Sequence, residues 1–156
     1  KEIKVAVLYC DIVGFTQISE LAGAERTMEL LSAYHSIVLE KAFEFKGTLD
    51  HFVGDGIYVT FGTPFTTGAD AENALMCAVS ILDKLAEFNL NRESDGEKGL
   101  NLRFGLHYGS VLFGNTGSED SLEFTVIGDA ISGASRLETY AKDLKKTLLA
   151  SKELIS

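Results

Sequence analysis

The sequence predicts an α+β fold on the split βαβ (ferredoxin-like) plan, with an antiparallel-rich central sheet and flanking helices. Three observations point there. Residues 3–10 form a nearly continuous apolar run, the mark of a central strand buried on both faces. Two short apolar runs, 48–53 and 57–62, flank Gly54-Asp55-Gly56, the strongest hairpin signal in the chain. Stretches with helical apolar spacing separate these strands from later ones, giving the order β-α-β-β-α-β-β-α-β.

Each element has its own signal. After the first strand, Asp11–Thr16 reads as a small loop, and a long helix follows. Its apolar stripe is Met28, Leu31, Tyr34, His35, Val38, Leu39, Ala42 and Phe43. Lys46-Gly47 stops it, because a cation and a glycine suit a helix C-terminus. Residues 62–69 form a loop with the only proline, and Asp70 is expected to cap the second helix. That helix faces inward through Asn73, Ala74, Cys77, Ala78, Ile81, Leu82, Leu85 and Phe88. Residues 91–99 are polar and read as an exposed loop. Alternation over 100–113 predicts a long strand, with a turn at Gly114–Ser118 and another strand at 122–127. A helix from Asp129 carries Ile131, Ala134, Ser135, Leu137, Glu138 and Ala141. A short strand at 146–150 and a last turn capped by Ser151 close the chain.

The length, 156 residues, fits one domain with a full core, and 46% apolar against 24% charged residues is ordinary globular composition. A net charge of −9 argues against nucleic acid or an anionic membrane as a partner. Cys10 and Cys77 both fall on apolar faces without metal-ligand spacing, so they read as buried thiols in a reducing, cytoplasmic setting. No apolar run approaches the ~20 residues that span a bilayer. The chain begins at Lys1 rather than Met and is expected to be a fragment of a longer one, in which an anchor or sensor domain could lie elsewhere.

Two aspartates carry the chemistry. Asp11 ends the first strand, and Asp55 sits in the hairpin turn. Taken singly, either fits a structural part, as a cap or a turn residue. The topology makes them neighbours, because the first strand pairs with the hairpin. Paired carboxylates held at strand ends suit hard cations such as Mg²⁺ against phosphates.

Four stretches in order then resemble the class III nucleotidyl cyclase catalytic domain, the family of adenylyl and guanylyl cyclases. They are Asp11-Ile12-Val13-Gly14-Phe15-Thr16; Val53-Gly54-Asp55-Gly56 leading to Phe61-Gly62; Arg103–Gly109 followed by Gly114–Gly117; and Thr125–Asp129 leading to Ser135-Arg136-Leu137-Glu138. They span nearly the whole chain. The Gly-Gly-acidic-acidic-Phe hairpin of the related diguanylate cyclases is absent.

The resemblance implies attack of a ribose 3′-hydroxyl on the α-phosphate of a nucleoside triphosphate, releasing pyrophosphate. It implies that Asp11 and Asp55, with the Ile12 carbonyl, hold two divalent cations, Mg²⁺ or Mn²⁺. The N–H groups of Val13, Gly14, Phe15 and Thr16, together with Arg103, would meet the phosphates. Arg136 matches the transition-state arginine. Ser132 stands where the family usually has an asparagine that orients the ribose. His51 and Thr125 occupy the base-reading positions. At the first, adenylyl cyclases usually carry lysine and guanylyl cyclases glutamate, so His51 leaves the base open. The other two histidines, His35 and His107, read as structural.

The family builds its sites between two chains, and this chain carries both halves, which implies a homodimer. The family's late phosphate-binding lysine sits in a hairpin after the last strand; the chain stops at Ser156 before it, so the expectation is that this hairpin is either cut off or lacking from the domain. The leading expectation is therefore an adenylyl cyclase acting on ATP. Its alternatives are a guanylyl cyclase, or a cyclase-homology domain serving as a nucleotide-binding or dimerising regulatory module.

Overall fold

The computed structural model describes residues 2–115 and 124–156, with side chains outside 113–127. The strands are β1 (Glu2–Ile12), β2 (Thr48–Val53), β3 (Gly56–Phe61), β4 (Leu102–Asn115), β5 (Phe124–Ile127) and β6 (Leu148–Ala150). The helices are α1 (Phe15–Glu44), α2 (Asp70–Ser94), α3 (Asp129–Leu144) and α4 (Lys152–Ile155). The sheet runs β2-β3-β1-β4-β5, with β6 also on β4. Every pairing is antiparallel except β4 with β6. This is the expected antiparallel-rich α+β architecture, with β1 in the middle.

The alternation of β1 divides the core. Ala6, Leu8, Cys10 and Ile12 face one cluster, which takes in Tyr34 and Val38 of α1 and Cys77 and Ile81 of α2. Val5 and Val7 face a second, smaller cluster, formed with Ala130 and Ala134 of α3. A strand covered on both sides has no polar face, which is why 3–10 reads as a continuous apolar run. Phe104 is fully buried in the larger cluster. Phe104→Ala is expected to cost about 3–5 kcal/mol, read as a lower urea midpoint with an unchanged slope.

Several expectations need correction. Met28 and Phe43 are 64% and 85% exposed rather than inward. The buried line of α1 is Thr27, Leu30, Tyr34, Ile37, Val38 and Ala42, so Met28 and Phe43 each stand one position off it. Helix α2 runs through residues 91–94, read as loop. Its last turns serve the segment behind it: Asn89 brackets the Leu100 N–H and carbonyl, and Arg92 donates to the Lys98 carbonyl. Asp70 is the first helical residue rather than the cap. Its buried carboxylate accepts from the hydroxyls of Thr66 and Thr67 and from the Thr67 N–H, so it ties down the preceding loop. Gly114 and Asn115 belong to β4 rather than to a turn. Ser151 does cap α4, accepting from the Leu154 N–H at 3.2 Å.

Candidate active site

The hairpin between β2 and β3 has a two-residue turn, Gly54-Asp55, closed by the Val53–Gly56 pair. Gly54 sits at φ +59°, a left-handed position that a glycine takes without a Cβ penalty. The turn aims Asp55 back at the end of β1, where its Oδ2 accepts the Ile12 N–H at 2.8 Å. That single bond joins the two halves of the expected metal site, since Ile12 follows Asp11. Gly56 is required for a different reason: a Cβ there would lie 2.8 Å from Tyr9 Cε1.

Asp11 shares the α3 side of β1 with Val5, Val7 and Tyr9. The Tyr9 hydroxyl donates to Asp11 Oδ2 at 3.4 Å. Helix α3 lies directly on the sheet here, because its backbone meets β4 at Gly105, the partner of Tyr9. This close approach brings buried Glu138 to Asp11. Burial first, then Glu138 and Asp55, push the Asp11 carboxyl from 3.8 to about 8. Two further carboxylates, those of Glu138 and Asp55, thus act on Asp11. Among the described residues no lysine or arginine pairs with any of them within 4 Å.

The sign of the pH effect follows. A carboxyl whose folded value is raised holds its proton more tightly when folded. The stability it contributes is fully present below about pH 4 and is lost as pH rises to about 8. Metal-free protein is therefore expected to lose urea resistance across that window. Asp11→Asn should flatten the slope, checked by urea midpoints at intervals of pH.

The Asp11–Thr16 stretch leads straight into α1. Gly14 takes the left-handed conformation and no side chain caps the helix. Its first turn holds no acidic residue. The free N–H groups of such a terminus suit an anion. One expectation is corrected here: the Val13 N–H donates to the Asn101 carbonyl at 2.8 Å, so it is already spent on structure. The open donors begin at Gly14, with Phe15 and Thr16. Arg103 is the cross-strand partner of Asp11, which places it at the same end of the sheet.

The other expected residues lie apart from this cluster. Ser132 and Arg136 are exposed, one turn apart on α3. The Ser132 hydroxyl donates to the Asp129 carbonyl at 3.3 Å. His51 lies on edge strand β2, stacked on Tyr58 with ring centroids 4.5 Å apart. The side chain of Thr125 lies outside the described residues. His35 packs on Phe52 at 4.5 Å and His107 lies against Gly133, in keeping with structural roles. Both thiols are buried, and burial raises their pKa values, that of Cys77 to about 12.

Sequence reasoning missed Tyr9 as a partner of the site, and it named Glu138 only as a residue of the last long helix and of a family motif. Tyr9 was findable: it stands two residues before Asp11 on one strand face.

The family model for the adenylate and guanylate cyclase catalytic domain matches residues 1–152. The chain belongs to this family. Adenylate cyclase 1 of Rhizobium meliloti (strain 1021) is 32% identical over 153 residues, covering 98% of this chain and 23% of that protein. An uncharacterized Mycobacterium tuberculosis protein, Rv1318c, is 32% identical over 99% of this chain and 27% of its own length. This cyclase domain thus spans about a quarter of the length of its curated relatives. Among solved structures, the adenylyl cyclase CyaB from P. aeruginosa superposes with a TM-score of 0.86 at 32% identity, covering 99% of this chain and 79% of that one. The guanylyl cyclase Cya2 gives 0.81 at 32%, covering 90% and 71%. No described helix of the domain is long and apolar enough to cross a membrane.

Proposed function

We propose that this domain is an adenylyl cyclase, converting ATP to 3′,5′-cyclic AMP and pyrophosphate at the interface of a homodimer in the cytoplasm. The observation that carries the reading is the Ile12 N–H bond to Asp55, which sets two carboxylates at one strand end beside an uncapped helix N-terminus.

The residues fit divalent cations, two Mg²⁺ or Mn²⁺. Asp11 and Asp55, with the Ile12 carbonyl, would hold them. Among the described residues no group of three or more His, Cys, Asp or Glu is placed to hold a metal ion, so the cradle would rest on two carboxylates and a backbone carbonyl. That suits ions that keep open positions for substrate phosphates. The crowding of Glu138 and Asp55 around Asp11 is negative charge that a bound cation relieves. Bound there, such ions would supply a lowered pKa for the 3′-hydroxyl and a counter-charge for the phosphates.

The protein's own groups do the rest. Gly14, Phe15 and Thr16 N–H groups and Arg103 bind the β- and γ-phosphates. Arg136 stabilises the charge that grows on the α-phosphate. Ser132 orients the ribose by a hydrogen bond of short reach. His51 and Thr125 contact the base. Arg136 and Ser132 project from the exposed face of α3 while the metal half lies at the sheet end. Two copies that exchange these halves would complete two equivalent sites.

A guanylyl cyclase is the second reading, left open by the absence at position 51 of both the usual lysine and the usual glutamate. A regulatory cyclase-homology module is the third, favoured by a Ser132 hydroxyl turned back to its own helix. Protein incubated with Mn²⁺ and either nucleotide, with chromatography of the products, separates them. Cyclic AMP from ATP is the expected result. Cyclic GMP in preference would establish the second reading, and no product from a dimeric preparation would leave only the third.

A further inference from the structure

Neighbouring residues of a regular strand point to opposite faces of the sheet. Asp50 and His51 are neighbours in β2, yet His51 Nδ1 lies 2.5 Å from Asp50 Oδ2. The register explains this. Leu49 pairs with Val59 and His51 with Tyr58, so Asp50 is the extra residue of a bulge. A bulge turns two successive side chains toward one side and re-aims them.

The consequences for Asp50 are visible in its burial. It is the one residue of β2 that is not exposed, and its side chain keeps only 15% of its accessible surface. The His51 side chain keeps 45%. Its ring is pinned flat on Tyr58, 4.5 Å between centroids and 15° between planes, and Tyr58 in turn leans on Tyr9. The aromatic face fixes the plane of the imidazole, and the carboxylate fixes its rotation. Apart from Asp50, no described carboxylate, lysine or arginine pairs with His51 within 4 Å.

A carboxylate only accepts hydrogen bonds, so Nδ1 carries the proton that is shared with it. A neutral imidazole then has its free lone pair on Nε2. The exposed edge of His51 is therefore an acceptor. At position 6 adenine has an amino group, which donates, and guanine an oxo group, which accepts. An acceptor held there takes the first and repels the second.

We propose that Asp50 is a positioning residue for substrate selection, locking His51 as a hydrogen-bond acceptor for the 6-amino group of adenine. This rests on the reading of His51 as a base contact. Without Asp50, the imidazole relaxes to the Nε2–H form, which donates and suits a 6-oxo group instead.

Two measurements test it. Long-range ¹H–¹⁵N spectra of the chain report the His51 tautomer without any substrate. The expected result is Nδ1–H in the native protein and in Asp50→Asn, whose amide oxygen still accepts, and Nε2–H in Asp50→Ala. Kinetics with ATP and GTP then read the consequence. Asp50→Ala is expected to lower the ATP:GTP ratio of kcat/KM about tenfold, as the loss or reversal of one base hydrogen bond does. Asp50→Asn should hold the ratio within about twofold, and a His51→Ala background should remove the effect of Asp50→Ala altogether. An Nε2–H or doubly protonated His51 in the native protein overturns the proposal. So does an unchanged or raised ratio in Asp50→Ala while His51→Ala still alters it; in that case His51 remains a base contact. If His51→Ala leaves the ratio untouched, the base-contact reading itself falls, and the proposal with it.

Discussion

Asp55→Asn is expected to lower cyclic nucleotide formation by roughly 10³-fold, the scale seen when one preorganised charge-stabilising group is removed from a closed site. The substitution keeps the size of the side chain and an oxygen that can still accept the Ile12 N–H, so the β2–β3 turn should survive. What disappears is the negative charge. The loss should therefore fall on kcat and on the Mn²⁺ concentration needed for half-maximal rate, with the urea midpoint nearly unmoved. Activity within tenfold of the native protein would refute the metal assignment of Asp55. An equal drop in urea resistance would make it a structural turn residue.

A second large effect, on stability and rate together, is expected from Gly105→Ala. A Cβ at 105 would collide with the Ala134 carbonyl and lie 2.6 Å from the Glu138 N–H nitrogen. Both are backbone atoms of α3, so no side chain can swing aside. Overpacking against such a surface should cost about 3 kcal/mol, the upper end of the usual range, because the helix must lift off the sheet. Glu138 would move away from Asp11, and Arg136 would move with it. The urea midpoint and the rate should both fall. An alanine tolerated with less than about 0.5 kcal/mol of loss would mean that α3 is not held in this contact.

Much of this was legible in the sequence, and the exceptions share a cause. The run 3–10 and the Gly54-Asp55-Gly56 turn announce their structure locally, through period and turn chemistry. Asp11 and Asp55 come together because two short-range signals, a strand and a hairpin, leave only one way to pair them. The Val13 N–H was misjudged because its partner, Asn101, lies far along the chain and carries no motif. Glu138 could be placed inward by helical spacing, but its contact with Asp11 depends on how closely α3 approaches β4, which a glycine permits without advertising. The Asp50–His51 pair was hidden for a third reason. It exists only because one residue is inserted into the register, and strict alternation would have put the two on opposite faces. Met28 and Phe43 show the smaller error of a stripe read one position too wide.

The glycine at 105 also sets a mechanical property. Most helices ride on their sheet through a layer of side chains whose rotamers absorb small movements. Over this part of β4 that layer is absent, and α3 bears on bare backbone. The joint between helix and strand is therefore stiff rather than cushioned. A change in the twist of β4 passes into α3 with little lost to side-chain rearrangement, and α3 carries Ser132 and Arg136 on one side and Glu138 on the other.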